Sequence, residues 1–143
     1  MNTYEREAIG NIIVVRNMTF ENTTTNKQEY DHVWNSGRPC IIIYSDNEYD
    51  YFLTMTLNTE IIENFKEHHF KINKKNLLQQ FNDKLTKGAI KLETIYKMPI
   101  CGHRQLAKVK FEVYKEIINK LKQYHQNQNL NEIIINAKSV RGR

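Results

Sequence analysis

Two β-rich runs joined by four turn residues constrain this chain more than any other feature. Cys40 to Tyr44, with three consecutive isoleucines, reads as one strand, and Tyr49 to Thr56 alternates between two faces as a second. Ser45-Asp46-Asn47-Glu48 lies between them, and such side chains bond their own backbone in tight turns. The arrangement predicts an antiparallel hairpin. On its second strand Tyr51, Leu53 and Met55 point one way, while Phe52, Thr54 and Thr56 point the other. One face is wholly apolar; the other ends in two hydroxyls. Gly37-Arg38-Pro39 stands at the entrance, where a proline without an N–H suits the first residue of a strand.

Residues 9–16 read as an earlier strand, and residues 17–37 as a long polar loop. Residues 59–66 suit a short helix through Ile61, Ile62 and Phe65. His69 to Ile72 suits a short strand. Over 74–85, Leu77, Leu78, Phe81 and Leu85 share a helical face, and Gly88 would stop that helix. Ala89 to Tyr96 reads as a further strand. The clearest helix spans 110–126, with a stripe of Tyr114, Ile117, Ile118 and Leu121 and a Glu116–Lys120 pair on the wet side. Glu132 to Asn136 suits either a helix or a strand, and the basic tail from Lys138 reads as mobile. Strands first, small helices inserted and a long helix near the end make an α+β pattern, built on a compact antiparallel sheet or small barrel.

At 143 residues this is one domain, with 40% hydrophobic and 26% charged residues, as a globular protein has. No apolar run approaches the roughly 20 residues of a membrane span. The opening Met1-Asn2-Thr3-Tyr4-Glu5-Arg6-Glu7 is polar, unlike a secretory leader. Cys40 and Cys101 each sit beside apolar residues, which suits reduced, partly buried thiols and a cytoplasmic setting. The 21 Lys and Arg against 16 Asp and Glu leave a net charge of +5, compatible with a phosphate-bearing partner but common among proteins without one.

The five histidines, His32, His68, His69, His103 and His125, form no metal-ligand spacing. His68 and His69 on a strand would point to opposite faces and read as surface residues. No Gly-rich phosphate loop and no Gly-x-Ser-x-Gly elbow is present, so neither a cofactor nor a metal is implied. Arg38 and Thr56 remain, at the open end of the hairpin. A guanidinium there can hold a phosphate through two parallel hydrogen bonds, and a threonine hydroxyl can add a third. Such donors stabilise the extra charge of a phosphoryl transition state. On composition alone, a rim arginine and an ordinary strand threonine explain the pair as well.

The order Gly10-Asn11-Ile12-Ile13-Val14-Val15, a polar loop, Gly37-Arg38-Pro39-Cys40-Ile41-Ile42-Ile43, and Phe52-Leu53-Thr54-Met55-Thr56 resembles the MazF/PemK/Kid toxin family. Phe70-Lys71-Ile72, Gly88-Ala89-Ile90-Lys91-Leu92-Glu93-Thr94-Ile95, and His103-Arg104-Gln105-Leu106-Ala107 with the following helix continue the likeness. It covers about residues 9–126. The resemblance implies a small SH3-like antiparallel β-barrel with inserted short helices and a C-terminal helix. It implies a homodimer that binds single-stranded RNA and cleaves it without a metal. The ribose 2′-hydroxyl would attack its own phosphate, leaving a 2′,3′-cyclic phosphate and a 5′-hydroxyl, a route closed to DNA.

By position, Arg38 takes the role of anion stabiliser and Thr56 that of a second hydroxyl contact, with Thr54 the fallback. Glu93 takes the place of the family's acid and Lys91 that of a basic catalytic residue. A solvated salt-bridged strand face would explain Lys91 and Glu93 equally well. In the loop before Arg38 the family's usual residues are replaced, and there Asp31 or His32 becomes the candidate proton acceptor. Trp34 becomes a candidate base-stacking residue or an interface anchor. Tyr96-Lys97-Met98-Pro99 replaces the family's Arg-Thr-Ile-Asp signature. The resemblance further implies a cognate antitoxin, a protein in preference to an RNA. Two alternatives are a ToxN-type toxin held by an RNA antitoxin and a non-catalytic SH3-like binding module.

Overall fold

The computed structural model describes residues 8–16, 18–21, 28–30, 37–57, 68–81, 85 and 87–141. Eleven strands and two helices occur among them. The hairpin is the centre of the fold. β4 (Arg38–Ser45) pairs antiparallel with β5 (Tyr49–Thr56), placing Cys40 opposite Thr54, Ile41 opposite Leu53 and Ile42 opposite Phe52. Asp46 fixes the turn: its Oδ1 accepts from the backbone N–H of Glu48 at 2.8 Å and of Tyr49 at 2.7 Å. Both faces of β5 are buried, so the expected half-apolar strand lies within the core.

β1 (Asn11–Val15) pairs with β4 on one side and with β10 (Arg104–Val109) on the other, and β7 (Leu77–Gln80) follows β10. The far side of β5 is divided. β9 (Tyr96–Pro99) pairs with its first half, and β8 (Lys87–Lys91) with Met55 and Thr56; β6 (His69–Asn73) then pairs with β8. These pairings are antiparallel. β11 (Lys138–Arg141) runs parallel to β9 and carries β2 (Thr19–Glu21), which pairs with β3 (Gln28–Tyr30). The fold is α+β, and among the described residues the pairings form an open path from β3 to β7, with β8 and β6 as a branch.

α1 (Phe111–Tyr124) buries Val113, Tyr114, Ile117, Ile118 and Leu121, the stripe that its 3.6-residue period predicts. Burial of such side chains is worth about 1.5–3 kcal/mol each. The β4–β5 register slips between Ile42 and Tyr44, and at that slip the Tyr114 phenol donates to the Ile43 carbonyl at 2.8 Å. A carbonyl displaced from regular pairing thereby gains a donor from the helix. Lys120 does not reach for Glu116; its Nζ donates to the His69 carbonyl at 3.0 Å and stands 5.8 Å from the Phe70 ring. α2 (Leu130–Ile135) resolves the helix-or-strand alternative at 132–136 in favour of helix.

Five expectations are corrected. The 74–85 helix is a 3-10 turn at 74–76 followed by β7. Asn73 and Asn76 cap that turn reciprocally, and Leu78 and Phe81, the outer half of the supposed apolar face, are 56% and 60% exposed. Gly88 ends no helix but lies inside β8, where a Cβ would stand 3.1 Å from Met55 Cε and 3.3 Å from Leu57 Cδ2. The strand expected over 89–96 breaks after Lys91, since β8 and β9 pair with different halves of β5. The supposed mobile tail is β11, with Val140 buried, and the long 17–37 loop contains β2 and β3, which β11 ties to the sheet. The short helix expected at 59–66 lies outside the described residues.

Candidate functional site

The open end of the β4–β5 hairpin is set by Gly37. Its φ is +97°, a conformation that glycine adopts freely. A Cβ there would lie 2.9 Å from Val14 Cγ1, so β1 and the entrance of β4 come together only because the side chain is absent. Arg38 follows. Carrying the Cys40–Thr54 register two residues outward brings Arg38 level with Thr56. By strand alternation Arg38, Cys40, Thr54 and Thr56 share one face of the sheet, with Phe52 next along it. Arg38 is half-buried, and its Nη1 donates to the Met55 carbonyl at 3.5 Å.

Tyr96 completes this face from β9. It stands opposite Phe52, and the two rings stack with centroids 5.8 Å apart. Burial pushes the Tyr96 phenol above its ordinary pKa, against a hydrogen bond with the Thr94 side chain that favours ionisation; the Glu93 carboxylate raises it further and Arg38 lowers it. The phenol therefore lies within electrostatic reach of both Arg38 and Glu93. Cys40 is buried and unpaired by any disulfide, and burial pushes its thiol well up despite the nearby Arg38 charge, so it supplies no thiolate. Cys101, expected to be partly buried, is exposed, with its Sγ 3.1 Å from His103 Nε2.

Thr54 and Thr56 are 4% and 5% exposed, so a ligand reaches their hydroxyls only by settling into the strand end. Lys91 lies two residues along β8 from Ala89, which faces Thr56. The expected Lys91–Glu93 face does not form, because the strand ends at Lys91 and Glu93 lies in the bend beyond. Glu93 pairs instead with His68, Oε2 to Nε2 at 3.0 Å. His68 and His69 do not diverge: His68 precedes β6, outside the strand whose alternation would separate them, and the rings lie 4.3 Å apart. His69 is buried, not a surface residue. Asp31, His32 and Trp34 lie outside the described residues.

Three groups escaped the sequence reading. Tyr96 had one signal, a tyrosine where the resembled family places a charged pattern. His68 had none, because its partner Glu93 is distant in the chain. Arg16 is the third: its Cγ and Nε stand 3.5 and 3.8 Å from the position of a Cβ on Gly37, adding an exposed cation beside the entrance. Among the described residues no three His, Cys, Asp or Glu side chains converge as a metal site, and no helix is long and apolar enough to cross a membrane. Comparison with protein-family models and with curated proteins returns no match.

Proposed function

We propose that this chain is the toxin of a toxin–antitoxin pair, an endoribonuclease that cleaves single-stranded RNA without a metal by attack of the 2′-hydroxyl. The observation that carries the reading is the placement of Arg38 level with Thr56 at the hairpin's open end, with Tyr96 in electrostatic reach of Arg38 and of Glu93. An RNA phosphate held there would meet the Arg38 guanidinium as charge develops on its oxygens. Thr56 would offer a further donor, and Lys91 would add positive charge from β8. Trp34 or another loop aromatic would hold a neighbouring base by stacking.

The finer features belong to the same proposal. The sheet is the open core of an SH3-like barrel, two copies pair to complete the RNA-binding face, and the protein acts in the cytoplasm. An unrestrained ribonuclease endangers its host, so a cognate antitoxin blocks this surface. An acidic, partly disordered protein segment suits it, placing carboxylates where phosphates would sit. Induced expression followed by mapping of RNA 5′ ends tests the function. New ends at a recurring sequence, with arrested growth, are expected; harmless expression with an unchanged RNA population refutes it.

A further inference from the structure

We propose that the cleft between α1, the start of α2 and the turn end of β4 binds a nucleotide, either free or as one unit of a single-stranded RNA. The inference is independent of the endoribonuclease reading, because the cleft lies apart from the Arg38 site. Tyr44, on the cleft wall, pairs with Tyr51. By strand alternation Tyr51 lies on the face of β5 opposite Thr54 and Thr56. Tyr44 also follows Arg38 by six residues along β4, roughly 20 Å at the rise of a strand.

The cleft holds about 530 Å³, within the roughly 300–1,000 Å³ of small-ligand sites. Tyr44 and Phe111, both half-buried, give it ring surface on which a base can stack. Lys115, Asn119 and Lys122 follow one another along α1 at the spacing of single turns, so they share one stripe of the helix. The two lysines are about 10 Å apart along the axis. Lys115 Nζ stands 5.0 Å from the centre of the Phe111 ring, which holds the ammonium at the wall. Among the described residues neither lysine forms an ion pair, and no Asp or Glu lines the cleft.

The polar groups of the cleft divide by what the fold already asks of them. The Tyr114 hydroxyl is committed to the Ile43 carbonyl, and Asn129 Oδ1 accepts from the Glu132 N–H at 2.9 Å as the cap of α2. Asn119 and Asn131 are exposed, and among the described residues their side-chain amides make no hydrogen bond. Such an amide sets a donor beside an acceptor, which the edge of a base can match. Two cations without an acid favour a phosphate. The rings favour a planar group, and the amides favour a hydrogen-bonding edge. A nucleotide brings all three, whereas an aliphatic ligand or a bare phosphate leaves part of the lining unused.

Calorimetric titration of the full chain with AMP, GMP, CMP and UMP tests the site, with the matching nucleosides and inorganic phosphate as partial ligands. At least one nucleotide is expected to bind with a Kd of about 1 mM or tighter. Its nucleoside and inorganic phosphate should each bind about tenfold more weakly or worse. Lys115→Ala and Lys122→Ala should each weaken the nucleotide about tenfold, the low end for a hydrogen bond to a charged group. Lys87→Ala, on β8 outside the cleft, should leave it unchanged. A 2′-O-methyl single-stranded RNA, which lacks the attacking hydroxyl, then identifies the source. If RNA supplies the nucleotide, the two cleft variants bind that RNA about tenfold more weakly and the free nucleotide competes with it. If the ligand is the free nucleotide, RNA binding is the same in parent and variants. Either result supports the site. Failure of all four nucleotides to bind overturns it. So do parental affinity in both cleft variants, an equal loss in Lys87→Ala, and inorganic phosphate that binds as tightly as the nucleotide. None of these results bears on cleavage at Arg38, which the mapping of RNA 5′ ends tests separately.

Discussion

Replacing Gly37 with alanine places a methyl group where the entrance of β4 meets β1. The backbone there has φ +97°, and an L-residue in the left-handed region pays roughly 1–2 kcal/mol. The new Cβ would stand 2.9 Å from Val14 Cγ1, the side chain of a β-branched residue fixed within β1. Overpacking of this kind costs about 1–3 kcal/mol. The two effects together predict a loss of about 2–5 kcal/mol, a large share of the roughly 5–15 kcal/mol that holds a domain folded. In urea, with a slope of about 2 kcal/mol per molar, the midpoint should fall by about 1–2.5 M. Gly102→Ala is the control. Nothing lies within 4 Å of its Cβ position, and its backbone is outside the positive-φ region. Alanine there should shift stability by no more than about 0.5 kcal/mol, or raise it slightly by restricting the unfolded chain. A Gly37→Ala protein with the parental midpoint would show that the entrance tolerates a side chain and that Gly37 does not set the position of Arg38.

Two further outcomes follow from the same contacts. Tyr114→Phe should cost about 1 kcal/mol at neutral pH through loss of the bond to Ile43, read by denaturant titration. Burial pushes Tyr114 up to about 12 from an ordinary 10, so its contribution is complete below pH 10 and fades as pH rises toward 12; the variant should show a shallower alkaline loss of stability, and an unchanged loss would contradict this. Arg38→Ala should keep the fold and lower RNA cleavage by about 10²–10³, as removal of one charge-stabilising donor does; a folded variant that cleaves at the parental rate would remove Arg38 from the mechanism.

What the sequence reveals here follows the range of the interactions. The hairpin at 40–56 is legible because its turn chemistry and two-residue period are local, and the cross-strand placement of Arg38 and Thr56 follows from its register. α1 is legible for the same reason, its stripe recurring over three turns. Residues 74–85 mislead because two leucines, a phenylalanine and a further leucine fit a helical face, while the local signal against it, Asn73 with Asn76, is easily passed over. The tail misleads because β11 owes its form to β9 and β2, and a lone Val140 in a basic segment announces neither. The site divides in the same way. Arg38, Thr54 and Thr56 come from one hairpin. Tyr96 reaches Phe52 from β9, and His68 meets Glu93 beyond the end of β8; both follow from the split of β5 between β8 and β9, which no local pattern encodes.

The proposed activity is metal-independent cleavage of RNA at the Arg38 site. Purified protein incubated with chelator, a single-stranded RNA and the DNA of the same sequence tests it most directly, with the termini of any products identified chemically. The RNA should be cut and the DNA left whole, the products should carry 2′,3′-cyclic phosphate and 5′-hydroxyl ends, and chelator should leave the rate unchanged. RNA left intact, products with 5′-phosphate ends, or activity abolished by chelator and restored by Mg²⁺ would contradict the proposed activity.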